Sequence, residues 1–207
     1  MSSILAIAAQ RVLPVVRCGD AEDAVLTARA AGAGGMRVVE LTLTTPDVHQ
    51  ALRELRGVGL VLGLGSLLDA ADVAPAVEAG AEFVVTFGCV PDLVAAAREA
   101  SVPAVQGALT PGEVLAAHVA GADAVKVFPA RAVSPAYLGD LRAVLPDVRL
   151  MPTGGIELGD VRPWLNAGAW AVGLGSALGT VAAVGAGEVE RRCRAALQVG
   201  CGRYAPA

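Results

Sequence analysis

Eight short apolar runs recur along the chain at a spacing that few folds accommodate. They begin near Leu13, Met36, Leu60, Phe83, Pro103, Ala124, Arg149 and Ala169, 20 to 25 residues apart. That interval holds one strand, one helix and the loops between them. Ala-rich amphipathic segments fill the gaps, so the pattern is a β-α unit repeated eight times. Strands that alternate with helices pair in parallel through right-handed crossovers. Runs such as Phe83-Val84-Val85-Thr86 are apolar at successive positions, as expected of strands covered on both faces. No linker or shift in composition divides the chain. The pattern predicts one (β/α)8 TIM barrel over 1–207, with a barrel core over about 12–180, a C-terminal helix over about 186–198 and a tail over 199–207. A doubly wound flavodoxin-like sheet is the structural alternative, but it needs about five strands rather than eight.

The punctuation agrees with eight units. Ala31-Gly32, Ala79-Gly80, Ala120-Gly121 and Ala167-Gly168 read as helix ends, with glycine in the left-handed conformation past the last turn. Asp20, Asp69, Thr110 and Asp160 read as helix starts. Thr110-Pro111-Gly112-Glu113 has the spacing of a capping box, with proline at the first helical position.

Composition excludes several classes of function. Hydrophobic residues make up 55% of the 207 and aromatics 3%, so the core is built from Ala, Val and Leu. Mean hydropathy is +0.59. No run approaches the roughly 18 apolar residues of a bilayer span. Met1-Ser2-Ser3-Ile4 lacks the basic start of a secretory signal. A cytoplasmic location without a membrane partner is expected. A net charge of −4 without a basic block argues against nucleic acid, and Glu188 to Arg194 reads as the solvated face of a last helix. Cys18, Cys89, Cys193 and Cys201 show no CxxC pairing. With His49 and His118 they form neither a zinc-ligand spacing nor a Cys-His pair, so no metal is expected. The cysteines read as small buried or half-buried side chains of a reducing compartment.

In a βα barrel the chemistry sits at the C-terminal ends of the strands. Read in order, those ends carry Arg17; Glu40 with Thr42-Leu43-Thr44-Thr45; Gly63-Leu64-Gly65-Ser66; Thr86-Phe87-Gly88; Gln106-Gly107; Lys126; Thr153-Gly154-Gly155; and Gly173-Leu174-Gly175-Ser176. Lys126 is the only lysine in a chain whose Lys and Arg total 16. A desolvated amine has a lowered pKa and forms a Schiff base with a ketone, which a guanidinium cannot do. The plainer alternative is an edge-strand lysine whose head reaches water. Glu40 interrupts Val38-Val39 and Leu41. A buried carboxyl there is expected to serve in moving protons, or as charge compensation for Lys126 or Arg17. Backbone N–H groups around Gly154, Gly155, Gly175 and Ser176 can cradle a phosphate, in the loops where this fold commonly binds one; the same glycines also suit tight turns. No G-x-G-x-x-G stands in a βαβ unit with an acidic partner, so no dinucleotide cofactor is expected.

Together these residues resemble the family of 2-keto-3-deoxy-6-phosphogluconate (KDPG) and 4-hydroxy-2-oxoglutarate (KHG) aldolases. The similarity runs from about Val12 to Ala177. Its most specific segments are Val38-Val39-Glu40-Leu41-Thr42-Leu43, Val125-Lys126-Val127-Phe128-Pro129-Ala130 and Pro152-Thr153-Gly154-Gly155-Ile156. The resemblance implies a cofactor-independent class I aldolase of Entner-Doudoroff-type carbohydrate metabolism, assembled as a homotrimer. Lys126 would be the Schiff-base lysine and Glu40 the acid/base. Arg17, Thr44, Ser66, Phe87 and Thr153 would contact a phosphorylated keto acid or pyruvate, and Gly154, Gly155, Gly175 and Ser176 would hold the phosphate. The chain also departs from the family. Thr44 replaces a frequent arginine, Gly63-Leu64-Gly65-Ser66-Leu67 replaces Gly-Ala-Gly-Thr-Val, Thr86-Phe87 replaces Ser-Pro, and Gln106 replaces proline. The C4 epimer (KDPGal) or 4-hydroxy-2-oxoglutarate remains an alternative substrate. A phosphosugar epimerase or synthase and a non-catalytic phosphate-binding barrel remain alternative functions.

Overall fold

The computed structural model describes residues 3–202. Eight strands form one parallel sheet: β1 Val12–Val16, β2 Val38–Thr42, β3 Val61–Leu67, β4 Phe83–Thr86, β5 Ala104–Ala108, β6 Ala124–Val127, β7 Leu150–Pro152 and β8 Val172–Leu174. Their order is β7-β6-β5-β4-β3-β2-β1-β8. The ring closes between β7 and β8 through the parallel bridge of Thr153 with Gly173, and Trp170 N–H donates to Leu150 O at 2.8 Å. The eightfold spacing therefore reads correctly as a barrel, and each strand begins within three residues of its expected start.

Helix α1, Ser3–Gln10, precedes the barrel. Helices α2 Ala21–Ala33, α3 Val48–Glu54, α4 Val73–Ala79, α5 Leu93–Glu99, α6 Pro111–Val119, α7 Pro135–Val144 and α8 Val161–Asn166 alternate with the strands. A short α9, Val181–Val184, and a long α10, Ala186–Cys201, follow β8. Alanines such as Ala24, Ala28, Ala51, Ala76, Ala97 and Ala117 are buried between helices and strands. Small side chains let the helices pack closely on the sheet without aromatics.

The helix signals hold with three corrections. Gly80, Gly121 and Gly168 follow their helices at φ 117, 89 and 93, and Thr110 and Glu113 form the reciprocal capping box of α6. Helix α2, however, runs through Ala31-Gly32 to Ala33. Gly35, at φ 95, makes the left-handed turn, because Met36 N–H must return to Ala31 O at 3.0 Å. Asp69 and Asp160 belong to 3-10 turns that precede α4 and α8; Asp160 accepts from Glu157 N–H at 3.2 Å rather than capping α8. Helix α10 extends three residues past the expected end near 198, and tail residues 203–207 lie outside the described residues.

Helix α1 was not expected, because its run of small and apolar residues carries no polar periodicity. It plugs the N-terminal end of the barrel. Ile4, Ala6 and Ile7 pack on Leu13, Val38, Phe83, Val85, Val105, Ala124 and Met151, inward residues of six strands, and on Ala171 just before β8. Gln10 seals the edge of this plug. Its amide nitrogen donates to Val12 O (2.7 Å) and Val38 O (3.0 Å), and its oxygen accepts from Arg37 N–H (2.6 Å) and Val38 N–H (3.1 Å). Gln10→Ala strands several buried backbone groups. It should lower the unfolding free energy by about 3 kcal/mol in urea titrations while leaving the opposite end of the barrel folded.

Candidate active site

Side chains alternate along a strand, so a residue two positions beyond a floor residue also faces the barrel interior. Glu40 stands two beyond Val38, Lys126 two beyond Ala124 and Thr153 two beyond Met151, each a floor residue. The three side chains thus enter one chamber above the apolar plug. Strands β2 and β6 lie four apart in the eight-stranded ring, so Glu40 and Lys126 approach from opposite walls. Glu40 is 0% and Lys126 3% exposed. Lys126 Nζ lies 3.2 Å from Glu40 Oε1, and Glu40 Oε2 has no hydrogen-bond partner. Lys126 is therefore neither on an edge strand nor solvated.

Glycines make room for the long side chains. A Cβ on Gly65 would overlap the Glu40 carboxylate, one on Gly173 would overlap Thr153, and one on Gly63 would overlap the Phe83 ring. Thr153 is buried, with its hydroxyl donating to Met151 O at 3.3 Å.

Arg17, Thr44 and Ser66 come together at the mouth. The Arg17 guanidinium donates to the Thr44 hydroxyl and, at 3.3 Å, to Ser66 Oγ. The Thr42 hydroxyl donates to Val16 O at 3.3 Å and lies 3.2 Å from that of Thr44. Ser66 takes a left-handed φ of 65, where the β3–β4 register shifts between Leu64 and Leu67. That irregularity turns its hydroxyl toward Arg17. Thr44 thus offers a hydroxyl that accepts from the arginine just past β1.

Phe87 projects at 46% exposure and meets Phe128 edge-on, with ring centroids 6.5 Å apart. Lys126 Nζ lies 5.8 Å from the Phe128 centroid. Phe128 had not been singled out as a site residue. Its signal was its place two residues beyond Lys126, on the same side of the chain. Gly154 and Gly155 follow at φ 96 and 76. A Cβ on Gly154 would lie 2.8 Å from the Phe128 ring, and one on Gly155 2.8 Å from Arg131 Cβ. Gly175 and Ser176 begin a turn closed by Leu178 N–H to Gly175 O (3.0 Å) and Gly179 N–H to Ser176 O (3.1 Å).

Two side chains near the mouth lie elsewhere than expected. Gln106 follows the inward Val105, so its side chain points out toward the helices. Its Nε2 donates to Cys89 Sγ at 3.2 Å, and both residues line a cleft of about 330 Å³ against α5 and α6. Cys89 is exposed rather than buried; Cys18 and Cys193 are buried as expected. Cys18 neighbours Arg17 in sequence but faces α2. Burial, followed by the nearby Asp23 carboxylate, pushes its thiol up to about 12, so it stays protonated.

Among the described residues no group of three His, Cys, Asp or Glu side chains could hold a metal, and no helix is long and apolar enough to cross a membrane.

The model of the KDPG and KHG aldolase family matches residues 4–194. The chain is 36% identical over 158 residues to the 2-dehydro-3-deoxy-phosphogluconate aldolase of Pseudomonas aeruginosa, covering 75% of this chain and 72% of that one. It is 30% identical over 167 residues to a probable 2-dehydro-3-deoxy-6-phosphogalactonate aldolase of Rhizobium meliloti, covering 79% and 78%. The fold matches the KDPG aldolase of Legionella pneumophila with a TM-score of 0.87 and 28% identity, covering 95% of this chain and 98% of that one. That structure holds pyruvate captured at low pH as a covalent carbinolamine intermediate.

The packing of Gly65 on Glu40 carries its own test. In Gly65→Ala the added methyl drives the carboxylate off Lys126 and leaves a buried charge without its partner. Unfolding by urea should show a loss of about 3 kcal/mol. The same change at Gly88, where a Cβ meets nothing within 4 Å, should leave stability within about 0.5 kcal/mol.

Proposed function

The chain belongs to the KDPG and KHG aldolase family, and from that premise we propose how its residues divide the reaction. It is an aldolase, a carbon–carbon lyase. The observation that carries the assignment is the single amine side chain of the protein, buried 3.2 Å from an equally buried carboxylate. A proton passes from Lys126 Nζ to Glu40, and the freed lone pair attacks the C2 ketone of a 2-keto-3-deoxy-6-phospho sugar acid. The carbinolamine takes up a proton, loses water and becomes an iminium. Glu40, through water, then removes the proton of the C4 hydroxyl. The C3–C4 bond breaks, and its electron pair flows into the iminium to give an enamine and glyceraldehyde 3-phosphate. A proton returns to C3, and hydrolysis releases pyruvate and the amine. The unpartnered Oε2 of Glu40 leaves one oxygen free to hold the relaying water.

The other residues bind and orient. Arg17, steadied by Thr44 and Ser66, takes the substrate carboxylate by paired hydrogen bonds. Thr153 lines the wall beside the reacting carbonyl. Phe87, with Phe128, covers the mouth and limits water. Gly154, Gly155, Gly175 and Ser176 cradle the phosphate. Glycine at 154 and 155 lets the backbone approach an anion that side chains would hold away. We further infer a single domain, a place in Entner-Doudoroff metabolism in the cytoplasm, and a homotrimer. The exposed Leu68, Leu115 and Val119 support burial between copies. The similarity to the Rhizobium meliloti protein favours the C4-epimeric galactonate substrate as the second reading.

Borohydride reduction with pyruvate should add one stable mass to the peptide containing Lys126. No adduct, under conditions that trap a known family member, would sink the mechanism. In Glu40→Gln, pyruvate release followed with lactate dehydrogenase should drop about 100-fold, and trapping should drop less; unchanged turnover would reduce Glu40 to a structural partner. The same coupled assay on both C4 epimers decides the substrate.

A further inference from the structure

We propose that Asp23 and Thr27 of α2 are positioning residues for the phosphate end of the substrate, acting through the strap that follows β8. The proposal rests on the phosphate cradle assigned above. The strap runs from Gly175 through the one-turn helix α9. A turn this short leaves its first N–H groups without helical partners, and the hydroxyl of its own cap, Thr180, accepts from Ala183 N–H at 3.3 Å rather than from Val181 or Ala182. Helix α2 supplies the missing acceptors from more than 150 residues away in sequence. Val181 N–H donates to Thr27 Oγ1 at 2.9 Å, and Ala182 N–H to Asp23 Oδ1 at 2.8 Å. The Thr27 hydroxyl in turn donates a hydrogen bond to the same Asp23 oxygen at 3.2 Å. One carboxylate oxygen and one hydroxyl thus tie the strap to the barrel's first helix.

Both anchors are buried, Thr27 at 1% and Asp23 at 9% exposure. A carboxylate in such a place is costly unless it is hydrogen-bonded. Burial would raise its pKa, but the Ala182 N–H, the Cys18 thiol and the hydroxyls of Thr180 and Thr27 outweigh burial and hold the group below the usual Asp value. Asp23 therefore stays ionised at neutral pH. Its place in α2 is itself fixed, since Asp23 N–H donates to the capping Asp20 at 2.8 Å.

The strap is stiff between these anchors and Ser176. Its first turn is closed by the Gly175 and Ser176 carbonyls. Ala177 and Leu178 are buried, and Ala177 O accepts from Arg192 at 3.4 Å. At Gly179, with φ 74, an added Cβ would press on Val184 of α9 at 2.9 Å. A shift of α9 therefore moves Ser176 with it. Lys126 and Glu40, on β6 and β2, are held by the sheet and do not depend on the strap. The two ends of the substrate are thereby separable, with the imine end set by the barrel wall and the phosphate end by α2.

The test compares Thr27→Val, Thr27→Ser and Asp23→Asn with the parent enzyme. Three quantities are read: KM and kcat for the phosphorylated substrate, inhibition by inorganic phosphate, and borohydride trapping of pyruvate, which has no phosphate. Thr27→Val removes the hydroxyl's hydrogen bonds with Val181 N–H, Asp23 and the Cys18 thiol. It should raise KM about tenfold and weaken phosphate inhibition by a similar factor, with kcat and pyruvate trapping within twofold. Thr27→Ser should restore both. Asp23→Asn, which keeps the shape and loses the charge, provides the same split should the valine variant not fold. Unchanged KM and phosphate inhibition in a folded variant would overturn the proposal, as would a parallel fall in pyruvate trapping. A parent enzyme that traps no pyruvate would instead strike the aldolase reading.

Discussion

The contact between Lys126 and Glu40 sets the terms for the rest of the barrel. Neither charge reaches water, and an ion pair of this kind is a poor source of stability, since desolvation offsets the attraction. The surrounding sequence is arranged to tolerate it. Strands β2 and β6 face each other across the ring, so each side chain needs only half the width of the chamber. Gly65 opens the wall behind the carboxylate, and Gly63 and Gly173 do the same for Phe83 and Thr153. Small residues next to large ones keep the ring filled at the floor and open above it. A hydrophobic pair would pack the chamber as well. The cost of the charged pair becomes intelligible once an amine has to be stored without water and released to a carbonyl.

The division between floor and mouth follows from strand alternation alone. On six of the eight strands the same face gives an apolar residue low in the barrel and, two residues later, a polar one or a glycine; on β1 and β4 the second residue is Val15 or Val85. Helix α1 covers the low end, and Gln10 satisfies the backbone groups that the plug removes from water. The mouth carries the strained and exposed features: the left-handed Ser66, the projecting Phe87 and the positive-φ Gly154 and Gly155. These features are unfavourable for folding and suited to binding.

Much of this was legible in the sequence, and the gaps have physical reasons. The eight strands were readable because parallel strands are apolar on both faces and recur at a fixed interval. Lys126 and Glu40 stood out because a charge inside such a run is anomalous. Helix α1 was hidden because its solvated face is formed by Leu5 and Ala9, which are apolar and generate no polar period. Gln106 was placed with the mouth by its position near a strand end, but direction depends on register, and Val105 already occupied the inward face. Gly32 looked like a helix end because an Ala-Gly pair carries no information about which of several nearby glycines takes the turn. Arg17, Thr44 and Ser66 could be named one by one, but their mutual hydrogen bonds require three strands to be brought together.

Those hydrogen bonds also bear on the departures from the family pattern. An arginine at position 44 would place a second guanidinium against Arg17 and remove the hydroxyl that now accepts from it. The hydrogen bond from Arg17 to Thr44 couples the two positions, so they form one arrangement rather than two independent features. Ser66 belongs to the same arrangement, because its hydroxyl reaches Arg17 only from the left-handed backbone at the β3–β4 irregularity. The cation at the mouth thus enters from β1 and is held by hydroxyls from β2 and β3. A carboxylate bound there is approached from the side of the ring nearest Glu40. That side also carries the loop after β8, since β8 pairs with β1. In the proposed roles the carboxylate would be held beside β1 and the phosphate between the loops after β7 and β8, with Lys126 on the wall opposite Glu40.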